Sequence, residues 1–136
     1  MKPTSPEICR SSLSRCLRAE GLGERFYELF LASSPEARRK FADTDFSRQR
    51  RVLEDALFVV TLAAEGRDDA PAAVELGRLA RRHARGDLDI RPELYSTWMA
   101  CLLQALEEKD PEFSDDVREA WGEVLAAATR RMIDDY

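Results

Sequence analysis

Apolar residues recur three and four positions apart along almost the whole chain, in runs of about 8 to 20 residues cut by Gly, Pro and Ser, and no stretch alternates as a strand does. That pattern specifies an all-α fold. Ser5-Pro6-Glu7 reads as a helix start, with Ser as the cap and Pro in the first turn, and Ile8, Leu13 and Cys16 form the apolar side. Gly21 and Gly23 punctuate the next junction. From Glu24, Phe26, Tyr27, Phe30 and Leu31 share a helical stripe, which Ser33-Ser34-Pro35 ends while starting a short helix through Phe41. A further helix is predicted from near Asp45 to about Ala64, then a loop over Glu65-Gly66-Arg67-Asp68-Asp69. Helices from about Pro71 to Ala84, Pro92 to Leu106 and Ser114 to Ile133 complete the chain, the last opened by a capping Ser and two acidic residues. Helices this unequal do not make a symmetric bundle.

With 136 residues, 44% of them hydrophobic, the expectation is one domain over residues 1–136. The net charge of -5 offers no general basic surface for phosphates, which argues against nucleic acid as a partner. The 21 Lys and Arg residues are interspersed with 26 Asp and Glu, as on solvated helix faces. Cys9, Cys16 and Cys101 are odd in number and contain no Cys-x-x-Cys pair, against both a disulfide framework and a zinc site. No apolar segment between Met1 and Gly21 has signal-peptide or membrane-spanning length. A cytoplasmic protein, neither exported nor membrane-bound, is expected.

His83 is the only histidine, and it lies in Leu79-Ala80-Arg81-Arg82-His83-Ala84-Arg85-Gly86, on the last turn of an amphipathic helix. Leu76, Leu79 and His83 are three and four apart, so the imidazole shares the apolar face. Two readings fit. It is either a core or helix-end histidine held by the helix dipole, or a metal ligand.

The neighbours of His83 bear on that choice. Phe26-Tyr27-Glu28-Leu29-Phe30, then Ser34-Pro35-Glu36 and Phe41, then Leu76-Gly77-Arg78-Leu79-Ala80-Arg81-Arg82-His83 with Pro92-Glu93-Leu94-Tyr95, and finally Ala120-Trp121-Gly122, follow in a fixed order. In that order and separation the chain resembles the globins, in particular single-domain bacterial haemoglobins and the haem domain of flavohaemoglobins, over roughly Gly23 to Met132. The resemblance implies a globin fold: an irregular packing of six to eight helices around a haem pocket, with haem b (iron protoporphyrin IX) as cofactor.

Carried onto this sequence, the resemblance makes His83 the proximal iron ligand, a role suited to a neutral imidazole whose second nitrogen is oriented by a carbonyl. It stacks Phe41 on the porphyrin and packs Leu79 beneath it, although both also read as plain core residues. Tyr27 and Gln49 match distal positions. Both side chains can donate hydrogen bonds to a dioxygen ligand, which carries partial negative charge, whereas carbon monoxide gains less. Outside the resemblance, Tyr27 reads as a core tyrosine and Gln49 as part of an exposed polar turn. With Gln49 distal, Leu53 comes over the haem and Leu57 follows, but Arg50 then stands where two globin helices cross closely. A shifted register, with Asp55 distal and Ala56 at the crossing, removes that conflict and puts a carboxylate beside the gas. Arg82 and Arg85 are candidates to pair with haem propionates.

A single histidine excludes double-histidine ligation within one subunit, leaving Tyr27 as the internal candidate for a ferric sixth ligand. In flavohaemoglobin-type domains a tyrosine and a glutamate of the final helix polarise the proximal imidazole. Here those positions are Leu125 and Tyr136, so the carboxylate is missing, while Tyr95 remains. The expectation leans to reversible binding of dioxygen or another diatomic gas (NO or CO) for binding, transport, storage or sensing, rather than to oxygen activation. The alternatives are nitric oxide dioxygenation with a separate reductase, since no flavin or sensor domain is expected after Tyr136, and a haem-free regulator of globin fold.

Overall fold

The computed structural model describes residues 2–65, 71–86 and 88–136. The loop expected over Glu65 to Asp69 thus lies, from position 66 on, outside the described residues. Seven helices are present among the described residues, with no strand: α1 (Ser5–Ala19), α2 (Leu22–Ser33), α3 (Pro35–Lys40), α4 (Phe46–Ala63), α5 (Pro71–His83), α6 (Leu94–Lys109) and α7 (Asp115–Asp134). No helix among these residues is long and apolar enough to cross a membrane.

Local chemistry explains most of the boundaries. The cap of α1 is Thr4 rather than Ser5: its hydroxyl accepts from the Glu7 N–H while the Glu7 carboxylate reaches back to the Thr4 N–H. That reciprocal pair needs Glu three residues after the cap, which Thr4 has and Ser5 lacks. Ser34 caps α3 by accepting from the Ala37 N–H at 3.1 Å, and Asp45 caps α4 through the N–H groups of Ser47 and Arg48. The helix expected from Pro92 begins at Leu94 and extends to Lys109. Turn bonds from Leu94 N–H to Arg91 O and from Tyr95 N–H to Pro92 O bring the chain into it.

In the packing, α1 lies against α7 and crosses α4, α2 crosses α6 and α4, and α5 bridges α4 and α7. Trp121, Phe26, Leu13, Leu57, Leu102 and Leu125 are essentially inaccessible at the centre. Each contributes roughly 1.5 to 3 kcal/mol by leaving water. A buried polar group pins α1 to the α6–α7 corner. The Asp110 carboxylate accepts from Ser12 Oγ at 2.6 Å, from Arg15 through two bonds at 2.6 and 2.9 Å, and from the Glu112 N–H. Ser12 Oγ in turn accepts from Trp121 Nε1 at 2.9 Å. The four acceptor positions of the buried carboxylate therefore each meet a donor.

Two buried clusters result. The larger is built on α1, α2, α3, α4, α6 and α7, and the smaller joins Ala80 of α5, Tyr95 of α6 and Met132 of α7. Leu76 and Ile90, half-buried, pack against both and mark their border, with half-buried Phe41, Phe46 and Trp98 against the larger cluster and Leu79 against the smaller. The candidate site lies along that border.

Candidate functional site

Three elements meet around Tyr27. Its ring touches Phe41, which ends α3, and Phe46, which begins α4, each at 5.4 Å between centroids. Gln49 Nε2 donates to the Tyr27 hydroxyl oxygen at 3.1 Å. No described residue takes the Tyr27 hydroxyl proton, so the phenol is still free to donate. Burial pushes the Tyr27 phenol up to about 12, the Gln49 bond pulling slightly the other way. The group is a neutral donor at ordinary pH, not a phenolate.

The pairing also bears on the register of α4. Gln49 faces Tyr27, and Asp55 is exposed. The close crossing of α2 and α4 does fall at Arg50, with the small residue supplied by α2: a Cβ on Gly23 would come within 2.9 Å of Arg50 Cβ and Cγ. Arg50 then runs outward to Glu24 at 3.2 Å. Ala56 is not needed there. One turn along the Gln49 face, Leu53 is buried in the larger cluster and Leu57 lies beneath it. Val52, three residues after Gln49 on the same side of the helix, is a large apolar side chain 44% exposed. Val52, Phe46, Ile90 and Trp98 were not among the sequence candidates. For Val52 the signal was the 49, 52, 53 spacing, and for Phe46 its aromatic ring one residue after a capping Asp.

On the other side His83 ends α5, half-buried. Its Nδ1 lies 2.8 Å from the carbonyl oxygen of Leu79. A carbonyl only accepts, so that contact requires the proton on Nδ1, and in a neutral ring this is the tautomer a metal-ligating imidazole needs. Leu79 and Leu76 are half-buried on the same face, Arg82 is exposed beside the imidazole, and Arg85 lies with its guanidinium 4.7 Å from the centre of the Tyr136 ring.

Tyr95 is buried in the smaller cluster, and its hydroxyl has no hydrogen-bond partner among the described residues. Desolvation pushes its phenol up to about 12. The neighbouring α7 side chain is Met132, which offers no carboxylate. Leu125 is in the central core, and Tyr136 bonds through its hydroxyl to Asp89.

The donor set fits a haem. One imidazole whose Nδ1 is engaged by a backbone carbonyl, a neutral phenol carrying an unused proton and a rim of half-buried apolar and aromatic side chains are what a flat, apolar, iron-bearing ring requires. No cluster of three or more His, Cys, Asp or Glu that could hold a metal ion without such a ring occurs among the described residues.

The comparisons agree with this geometry. A crystal structure of a protein from Pseudomonas aeruginosa PAO1, described as structurally highly homologous to a human haemoglobin, is similar at a TM-score of 0.91 with 34% identity, over 98% of both chains. A protein of Aquifex aeolicus (strain VF5) described as an uncharacterized globin-like protein is 28% identical over 110 residues, 80% of this chain and 74% of that one. The family model described as Globin matches residues 24–132. Seven helices in this arrangement are the globin fold, and the chain belongs to the globin family.

Proposed function

We propose that this globin takes up one haem b, with His83 as the proximal ligand to its iron, and binds dioxygen or a similar diatomic gas reversibly on the Tyr27 side. The observation that carries the reading is the Nδ1 contact of His83 with the Leu79 carbonyl, which in the neutral ring selects the tautomer whose Nε2 can ligate iron. Haem, when bound, supplies a ferrous iron with one coordination position left for a diatomic gas.

The residues divide the remaining work. Phe41, Leu53 and Leu79 exclude water from the two faces of the ring, Tyr95 backs the proximal side, and Arg82 faces the propionate edge. Tyr27 donates its hydroxyl proton to the gas, and Gln49 fixes the direction of that hydroxyl by occupying its lone pair. Dioxygen draws negative charge outward in such a pocket and gains from the donor, whereas carbon monoxide gains little. On the proximal side the proton of Nδ1 goes to a neutral carbonyl, an acceptor that lends the imidazole less imidazolate character than a carboxylate would. This supports binding over oxygen activation.

We further read residues 1–136 as one globin domain, in a cytoplasmic setting. Cys9, Cys16 and Cys101 are buried free thiols, and burial pushes those of Cys9 and Cys16 up to about 12, as suits thiols with no redox role. The deciding experiment is an absorption spectrum of protein purified from cells supplied with haem. A Soret band that His83→Ala abolishes is the expected result, and its absence from the wild type leaves a haem-free regulator of globin fold.

A further inference from the structure

The carbonyls at the end of α5 are taken up by the segment that follows it. Leu88 N–H donates to Arg82 O at 3.1 Å, Asp89 N–H to Ala84 O at 2.9 Å and Ile90 N–H to His83 O at 2.9 Å. The last carbonyls of a helix have no partner of their own, so these bonds decide whether the final turn, with His83 on it, stays wound.

Asp89 stands at φ 53°, in the left-handed region, a conformation that persists only where the surroundings over-determine it. Here they do. Besides its N–H bond, its carbonyl accepts from Lys40 Nζ at 3.0 Å, and its carboxylate accepts from the Tyr136 hydroxyl. Lys40 also donates to the Leu88 carbonyl at 3.1 Å. Tyr136 is itself fixed from the α5 side, because its carbonyl accepts the Arg85 N–H at 3.3 Å and its ring lies under the Arg85 guanidinium. Leu88 and Asp89 are thus held between Lys40 at the end of α3 and Tyr136 beyond α7.

We propose that Tyr136 is a positioning residue for His83: by bonding Asp89 it keeps the end of α5 wound and the imidazole in one orientation, and so slows haem loss. The proposal rests on the reading of His83 as iron ligand. It assigns Tyr136 no contact with the imidazole, acting instead through Asp89 and the His83 carbonyl.

The test compares Tyr136→Phe, which keeps the ring over Arg85 and removes only the hydroxyl, with Asp89→Asn, which keeps an acceptor and tolerates the left-handed backbone. Trp121→Phe, which removes the bond to Ser12 far from this segment, controls for general destabilisation. Three quantities are read: haem transfer to excess apomyoglobin, the iron–histidine stretching band of the ferrous protein, and amide exchange of Ile90 in the haem-free protein. Tyr136→Phe is expected to raise haem loss and Ile90 exchange each by about fivefold to tenfold, as for loss of a hydrogen bond to a charged acceptor, and to shift or broaden the band. Asp89→Asn stays within about twofold of wild type, and Trp121→Phe lowers Tm without moving the band. Wild-type haem loss and an unmoved band in Tyr136→Phe overturn the proposal, whatever Ile90 does. A wild type that takes no haem defeats the ligand reading instead, and Ile90 exchange alone then decides whether Tyr136 holds the His83 turn.

Discussion

Gln49 Nε2 donates to the hydroxyl oxygen of Tyr27 across 3.1 Å, joining α4 to α2 where two polar side chains meet among aromatic rings. Because the phenol oxygen is the acceptor, its own proton is left for a third group. The two residues therefore differ in rank: Tyr27 is the donor, and Gln49 aims it.

That ranking predicts unequal effects. Tyr27→Phe should raise the dioxygen off-rate by more than about tenfold, as for a hydrogen bond worth more than about 1.4 kcal/mol, while the carbon monoxide off-rate changes little. Gln49→Ala should raise the dioxygen off-rate by only about threefold, since the donor survives and loses its orientation. Stopped-flow ligand displacement measures both. An unchanged dioxygen off-rate in Tyr27→Phe rejects the distal assignment.

Gly23 and Arg50 should be coupled. A methyl on Gly23 would sit 2.9 Å from Arg50 Cβ and Cγ, atoms too close to the backbone to swing away. Gly23→Ala is expected to cost about 1 to 2 kcal/mol, overpacking outweighing the gain in helix propensity. In a double-mutant cycle with Arg50→Gly, urea unfolding should show a coupling of roughly 1 kcal/mol. Additive effects would mean that the crossing lies elsewhere.

Tyr95→Phe removes a buried hydroxyl that has no partner among the described residues. The haem-free protein should be equally stable or gain up to about 1 kcal/mol, because an unsatisfied group is deleted without a cavity. Thermal unfolding followed by circular dichroism reads this directly, and a clear drop in Tm would show that the hydroxyl holds a partner such as water.

Acid should weaken the joint between α1 and the α6–α7 corner. Burial alone would push the Asp110 carboxyl up, but the bonds from Arg15, Ser12 and the Glu112 N–H outweigh it and hold the group below the usual aspartate range. A carboxyl depressed in the folded state contributes stability above its unfolded value of about 3.9 and loses it as pH falls through the folded value. Asp110→Asn is expected to cost about 3 kcal/mol at neutral pH, and its urea midpoint should fall less than that of wild type between about pH 6 and about pH 3. Equal acid slopes in the two proteins would place the acid sensitivity elsewhere.

Helix periodicity made most of the architecture legible, and His83 stood out because the apolar face of α5 carries a single imidazole. Spacing and resemblance together singled out Tyr27 and Phe41, whose rings the fold brings to 5.4 Å between centroids. The close crossing was harder. Sequence reasoning looked for a small residue on α4, while the space is made by Gly23 on α2, and nothing local ties a glycine to the residue it will face 27 positions on. The Ser12, Asp110 and Trp121 group escaped for the same reason, its members being 98 and 109 positions apart. Asp89 escaped because a left-handed aspartate has no signature until its hydrogen-bond partners are known. Thr4 could have been found, since Glu7 stands three residues after it.

One bond at the site is indifferent to side-chain identity. Every residue at position 79 carries the same carbonyl, so no side-chain replacement of Leu79 that leaves the helix intact withdraws the acceptor from His83 Nδ1. The tautomer of the imidazole is thereby insured against mutation. Substitutions on the pocket face of α5 are free to retune haem packing or gas access without unsettling the nitrogen that would meet the iron.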